Sequence, residues 1–155
     1  MEQITTVGID LAKNIFQVHA VDAAGRVVLQ KAFRRPQLVT FLQKLPACLV
    51  GLEACGSAHH WGRFLTQSGH HVRLIPPAYV KPYVRRQKND VADAAAICEA
   101  VTRPSMRFVP IKTEEQQAAL MLHRARSLLM SQRTALIRTV RYFVREAIRW
   151  KRKDP

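Results

Sequence analysis

The chain has 155 residues, room for one ordinary domain or one domain with a helical appendage. Hydrophobic residues make up 48%, which excludes wholesale disorder, and no apolar run approaches the ~18 residues of a membrane span. Lys and Arg number 25 against 11 Asp and Glu, a formal net charge of +14 that calls for an anionic partner. Thr5-Thr6-Val7-Gly8-Ile9-Asp10 is β-branched and reads as a strand. Leu11 to Asn14 is a turn, and the alternation from Ile15 to Val21 predicts a second strand. Asp22-Ala23-Ala24-Gly25 supplies a hairpin turn, and Arg26 to Phe33 reads as the third strand. Pro36 opens a helix with Leu38, Phe41, Leu42 and Leu45 at helical spacing, and Pro46 ends it. Cys48 to Glu53 reads as a buried strand. Ser57 can cap a helix running to about Ser68, with Gly69 as its terminator. His71 to Ile75 is another strand, closed by Pro76-Pro77. Residues 78–84 form a short helix or an ordered loop. Asn89 caps an alanine-rich helix from Asp90 to about Val101, and residues 102–112, with Pro104 and Pro110, read as a linker. From Thr113 the pattern is helical almost to the end, opened by a capping box in Thr113-Glu114-Glu115-Gln116.

The charge is uneven. Residues 1–102 hold 12 basic and 7 acidic side chains, and residues 103–155 hold 13 and 4, so the tail is the denser electropositive element. Nucleic acid is the first partner to expect, and an anionic membrane surface the second. Met1-Glu2-Gln3 lacks the basic and apolar stretches of a signal peptide. Three scattered cysteines, Cys48, Cys55 and Cys98, form no disulfide framework. A reduced, cytoplasmic protein is expected.

Four acids stand apart. Asp10 and Glu53 each close a strand, and open sheets place their chemistry at the carboxyl ends of strands. Asp90 and Asp93 are spaced i, i+3, on one helix face. Four converging carboxylates repel one another unless cations intervene, and such hard oxygen donors suit Mg²⁺ or Mn²⁺. Two such ions about 4 Å apart can activate a nucleophile and stabilise a leaving oxygen in phosphodiester chemistry. Taken singly, Asp90 and Asp93 are also explained by the helix macrodipole, and Asp10 by a turn. The order β-β-β-α-β-α-β-α followed by a long helix predicts an α/β fold, a ribonuclease-H-like mixed sheet with flanking helices.

Three segments stand in the order of a known pattern: Val7-Gly8-Ile9-Asp10-Leu11-Ala12-Lys13, Leu52-Glu53-Ala54-Cys55-Gly56 and Lys88-Asn89-Asp90-Val91-Ala92-Asp93-Ala94. They resemble the N-terminal DEDD domain of insertion-sequence transposases that use a bridge RNA, a domain similar to the RuvC Holliday-junction resolvase. The resemblance implies Asp10, Glu53, Asp90 and Asp93 as catalytic, metal-binding acids, with two Mg²⁺ or Mn²⁺ ions. It implies a RuvC-like DEDD domain over residues 1–104, a linker over 105–112, and over 113–155 a long basic amphipathic helix that starts a coiled coil. The implied activity is metal-dependent DNA strand cleavage and recombination with a structured guide RNA. Family members continue into a second domain bearing a catalytic serine. This sequence stops at Asp154-Pro155, so the expectation is a truncated N-terminal part, incomplete for transposition by itself.

Basic residues interleave with aromatics just before the Asp90 helix. Tyr79, Lys81, Tyr83, Arg85, Arg86 and Lys88 are candidates to hold a phosphate backbone and stack on bases, as is Lys13 beside Asp10. A solvated basic loop is the blander alternative. In the last segment Leu122, Ala125, Leu129, Leu136, Val140, Phe143 and Ala147 form a heptad-type seam with Gln132 as its polar break. Arg138, Arg141, Arg145 and Arg149 lie roughly opposite, as a DNA- or RNA-facing ridge beside a homo-oligomer seam, or as solvated cations on a helix pair. The preceding domain disfavours a membrane role for this helix.

Other chemistry is weaker. His59, His60, His70 and His71 with Cys55 fit no established zinc spacing, and no phosphate-loop glycine pattern occurs. Trp61, Phe64 and Leu65 read as core, and Cys98 as a small buried hydrophobe. Two readings from other classes are a non-catalytic DNA- or RNA-binding remnant that dimerises with full-length transposase, and an actin-like sugar kinase. The kinase would need a second phosphate loop that is not found here.

Overall fold

The computed structural model describes residues 3–83 and 90–151, and of Asp90 only the backbone. Two hairpins build one half of the sheet. β1 (Thr6–Asp10) pairs antiparallel with β2 (Ile15–Val21), and β2 with β3 (Val27–Arg34). The turn between β2 and β3 is built on Asp22, which accepts hydrogen bonds from the Ala24 and Arg26 N–H groups and from Arg26 Nε. Gly25 takes φ 77° there, the left-handed region that favours glycine. α1 (Arg35–Lys44) and α2 (Ala58–Gln67) then carry the chain to β4 (Leu49–Glu53) and β5 (His71–Ile75), each parallel to its inner neighbour. The strand order is β3-β2-β1-β4-β5, the mixed five-stranded sheet anticipated from the element order. A short α3 (Pro77–Val80), a 3-10 turn at Lys81–Tyr83, α4 (Asp90–Val101) and α5 (Glu114–Lys151) complete the described chain.

Strand alternation divides the core between two faces. Val7, Ile9, Phe16, Val18, Val50 and Leu52 point to one face and pack with Leu38 and Leu42 of α1 and Trp61 and Leu65 of α2. Full burial of each such side chain stabilises the fold by about 1.5–3 kcal/mol. The other face carries α4, whose Ile97 and Val101 lie against Gly51, and a second cluster joins Ile75, Val80, Ala96 and Ala100. His70 is buried for a structural reason. Its Nε2 meets the Leu42 carbonyl at 3.0 Å and its Nδ1 the Cys48 thiol at 3.4 Å.

Two local expectations are corrected. Ser57 sits at the start of α2 with helical dihedrals and no side-chain cap bond, because its hydroxyl meets Cys55 Sγ at 3.4 Å instead. Residues 105–112, expected as a linker, are strapped to the domain. Val109 N–H donates to Leu74 O at 2.8 Å, Phe108 lies 4.8 Å below the Arg73 guanidinium, and Arg63 donates to Lys112 O at 2.7 Å. Ile111 packs against Gly62, where a Cβ would crowd it. Prolines mark where regular structure stops, not where contact stops. The expected Asn89 cap lies outside the described residues.

Residues 1–113 and 114–155 form two compact units. In α5, Ser127, Thr134 and Thr139 hydroxyls donate to carbonyls one turn back, so these polar residues are satisfied inside the helix. Among the described residues no helix is long and apolar enough to cross a membrane.

Candidate active site

Asp10 and Glu53 end adjacent parallel strands. Ile9 pairs with Leu52, so the two acids follow side by side, about one strand spacing (~4.8 Å) apart at the backbone. Alternation puts Asp10 on the face of Gly8, and Glu53 on the face of Gly51. That is the α4 face, since both glycines are where α4 makes its closest approach. Both acids are half-buried.

α4 runs antiparallel to β1. Cys98 Sγ meets Thr6 O, while Gly8 lies beneath Ala94 and Cys98. Four helical residues rise ~6 Å and two strand residues ~6.6 Å, so the step from Cys98 to Ala94 matches the step from Thr6 to Gly8. The next such step takes α4 to Asp90 and β1 to Asp10. Asp90 and Asp93 stand seven and four residues before Ile97, on the extension of the sheet-facing stripe. Asp93 is half-buried, and the Asp90 side chain lies outside the described residues.

The structure thus brings Asp10 and Glu53 together and directs the first turn of α4 to them. Among the described residues, no three His, Cys, Asp or Glu side chains close to metal-holding distance. The donor chemistry of the edge is nonetheless that of a hard divalent cation, being carboxylate oxygen from both strands and from the helix turn. The nearby thiol does not compete: burial pushes Cys98 up to about 11, so it stays protonated. His59 is no ligand in waiting either, because its Nδ1 accepts the Lys112 N–H at 3.2 Å.

The expected nucleic-acid contacts divide. Lys13 is exposed in the β1–β2 turn, on the carboxyl edge of β1. Tyr79 and Lys81 are exposed, and Tyr79 and Tyr83 line a groove of about 570 Å³ with Ser105, Met106 and Arg107. Tyr83 is half-buried with the Arg103 guanidinium 5.8 Å above its ring, so that face of the ring is covered. Arg85, Arg86 and Lys88 lie outside the described residues. Arg138, Arg141, Arg145 and Arg149 are all exposed on α5, and Arg149 reaches Glu146 at 3.8 Å. Two further arginines, Arg34 and Arg35, stand at the β3–α1 junction, outside the expected contacts. The signal was an Arg-Arg pair between a strand and a helix-opening proline, and only the sheet order shows that it reaches the edge of Asp10.

A transposase family model, DEDD_Tnp_IS110, matches residues 7–148. The chain belongs to this family of IS110-type DEDD transposases. This member is 54% identical over 138 residues to a protein of Pseudomonas aeruginosa named "Probable family 20 transposase", covering 89% of this chain and 41% of that one. It is 45% identical to the Yersinia enterocolitica "Transposase for insertion sequence element IS1328", covering 94% of this chain and 44% of that one. The chain therefore spans about two fifths of the length of these curated relatives. Its structure is similar to Thermus thermophilus RuvC, solved with a Holliday junction substrate, at a TM-score of 0.51 and 12% identity. That match covers 69% of this chain and 99% of RuvC, and it shows that the fold of this IS110-type transposase chain is RuvC-like.

Proposed function

We propose that this chain is the strand-cutting part of an insertion-sequence transposase, a metal-dependent nuclease unit acting on DNA with a structured RNA as guide. The observation that carries this reading is the pairing of Asp10 with Glu53 at adjacent carboxyl ends, on the face to which the first turn of α4 is directed. Asp10, Glu53, Asp90 and Asp93 would hold Mg²⁺ or Mn²⁺. When bound, such ions polarise a phosphodiester and lower the pKa of a water. The residues of the chain do the rest. The strand ends fix two carboxylates on a rigid frame, the glycines admit α4, and α4 supplies the remaining acids from one face. Lys13, Tyr79, Lys81, Tyr83, Arg85, Arg86 and Lys88 then hold the backbone against that edge, and α5 presents its own arginines, Arg138, Arg141, Arg145 and Arg149, to nucleic acid.

Self-association through α5 belongs to the same reading. Leu122, Leu129, Leu136, Phe143 and Trp150 recur every seven residues, each more than 60% exposed. A second reading has one observation in its favour. The denser positive charge lies on α5, in a different compact unit from the four acids, as a non-catalytic nucleic-acid-binding partner of the full-length transposase would carry it. Calorimetric titration with Mn²⁺ separates the two. Binding that Asp10→Asn abolishes, together with Mn²⁺-dependent DNA cleavage lost in the same variant, supports the nuclease. Unchanged heats in the variant support the binding remnant.

A further inference from the structure

The β3–α1 junction carries chemistry that the acidic edge does not use. Arg34 ends β3 opposite Ile15, while Asp10 lies opposite Gln17. Arg34 therefore stands two residues, or ~6.6 Å, beyond the level of Asp10, and β3 lies two strand spacings (~10 Å) from β1. Arg35 opens α1, and its guanidinium sits over two buried rings, 5.8 Å from Phe16 and 5.6 Å from Trp61. Trp61 belongs to the first turn of α2, the helix that follows Glu53. Arg35 thus lies between the start of β2 and the start of α2, on the α1–α2 face, at the same end of the sheet where Asp10 and Glu53 close their strands on the α4 face.

The two rings meet edge to face at 65°, so Arg35 is attracted to both without lying flat on either, and its guanidinium still carries five N–H donors. The ring contacts narrow the rotamers of this exposed side chain, so part of the ordering that a bidentate bond to phosphate demands is already met. Among the described residues neither Arg34 nor Arg35 has a carboxylate partner, and the first turn of α1 holds no acid. Lys13 is exposed in the turn from Asp10 to Ile15. Three cations thus line the edge from β1 outward to β3. We propose that Arg35, held on the Phe16–Trp61 platform and flanked by Arg34 and Lys13, grips a backbone phosphate of the DNA a few nucleotides from the scissile position. A duplex strand advances ~3.4 Å per phosphate, so the ~10 Å between β1 and β3 corresponds to about three steps. The assignment rests on the nuclease reading given above.

The test is DNA binding across a salt series, with the full chain and a labelled duplex. Arg35→Gln is expected to reduce the slope of log K against log salt by about 0.9, one phosphate contact. Extrapolated from 1 M to 0.1 M salt, that is roughly an eightfold loss of affinity. Arg35→Lys keeps the charge and should recover most of the slope. Lys44→Gln removes a charge from the opposite end of α1 and should leave the slope unchanged. If Arg35→Gln fails to fold, Arg35→Met, which keeps an aliphatic stem over the rings, carries the same expected slope loss of about 0.9. A thermal midpoint that falls with an unchanged slope makes Arg35 structural and overturns the inference. A slope lost on an RNA duplex alone overturns the assignment to DNA. Intact Mn²⁺ binding and DNA cleavage with no slope change in Arg35→Gln overturns this inference and spares the nuclease reading. A wild-type chain with no salt-dependent DNA binding overturns both.

Discussion

At Gly8 a methyl group would collide with the Ala94 carbonyl oxygen and the Cys98 nitrogen of α4, both of them backbone atoms that cannot swing aside. Gly51 is less crowded, because a Cβ there first meets Val101 Cβ at 2.9 Å and Ile97 Cγ2 at 3.1 Å and no backbone atom as near as at Gly8. Gly8→Ala is expected to cost ~2–3 kcal/mol in urea unfolding and Gly51→Ala about 1 kcal/mol. Gly8→Ala should also weaken metal binding, since α4 must lift away from the edge that holds Asp10. Asp22 gives a pH signature. The Arg26 N–H bond, followed by the other bonds to Arg26 and Ala24, holds its carboxyl below the usual range despite burial. A depressed folded pKa means stability present above the unfolded value and lost as pH falls through the folded one. Thermal midpoints should therefore drop below about pH 4, and Asp22→Asn should flatten that part of the profile. The Gly-Ile-Asp and Glu-Ala segments were legible because strand-closing acids are conspicuous in so basic a chain. That Gly8 and Gly51 face α4 was not legible, since alternation fixes which residues share a face but not what covers it.

Elements with a clear period were readable, and the misses came where a side chain found another partner. α4 begins and ends where the alanine-rich pattern does, at Asp90 and Val101. Ser57 has the chemistry of a cap, yet its hydroxyl turns to Cys55. Residues 105–112 have the composition of a linker, yet bond to β5 and α2 through Val109 and Lys112. For α5 the sequence shows the seam and leaves its partner unnamed. Thirteen large apolar side chains on this helix are at least 40% exposed, which is the surface that the proposed self-association would bury. Replacing both Leu129 and Leu136 by Asp should convert a self-associated species to a monomer in sedimentation equilibrium. Residues 1–113 have their own core, so their thermal transition should not move. A wild-type chain that sediments as a monomer at tens of micromolar would remove the proposed seam.

For the molecule as a whole the charge of +14 has two opposing parts. The arginines and lysines draw phosphate to the chain, while Asp10 and Glu53 stand at the edge where the proposed reaction needs that phosphate closest. Without a cation the two acids repel it. At ~8 Å in a water-like dielectric each unit charge contributes about 0.5 kcal/mol, so the pair weakens binding about fivefold. Asp10→Asn with Glu53→Gln raises the formal charge to +16 and should tighten DNA binding by that factor when chelator is present. Bound Mg²⁺ in the wild-type chain would cancel the same repulsion, so its affinity should rise on adding Mg²⁺ and the gap should close. The variant, lacking the carboxylates, should gain nothing from Mg²⁺ beyond ordinary screening, which weakens binding. A Ca²⁺ arm at matched ionic strength separates occupancy of the site from cleavage of the probe. If wild type and variant differ equally with and without Mg²⁺, the acids act as fixed charges only, and the metal-dependent reading fails while the basic surface keeps its role.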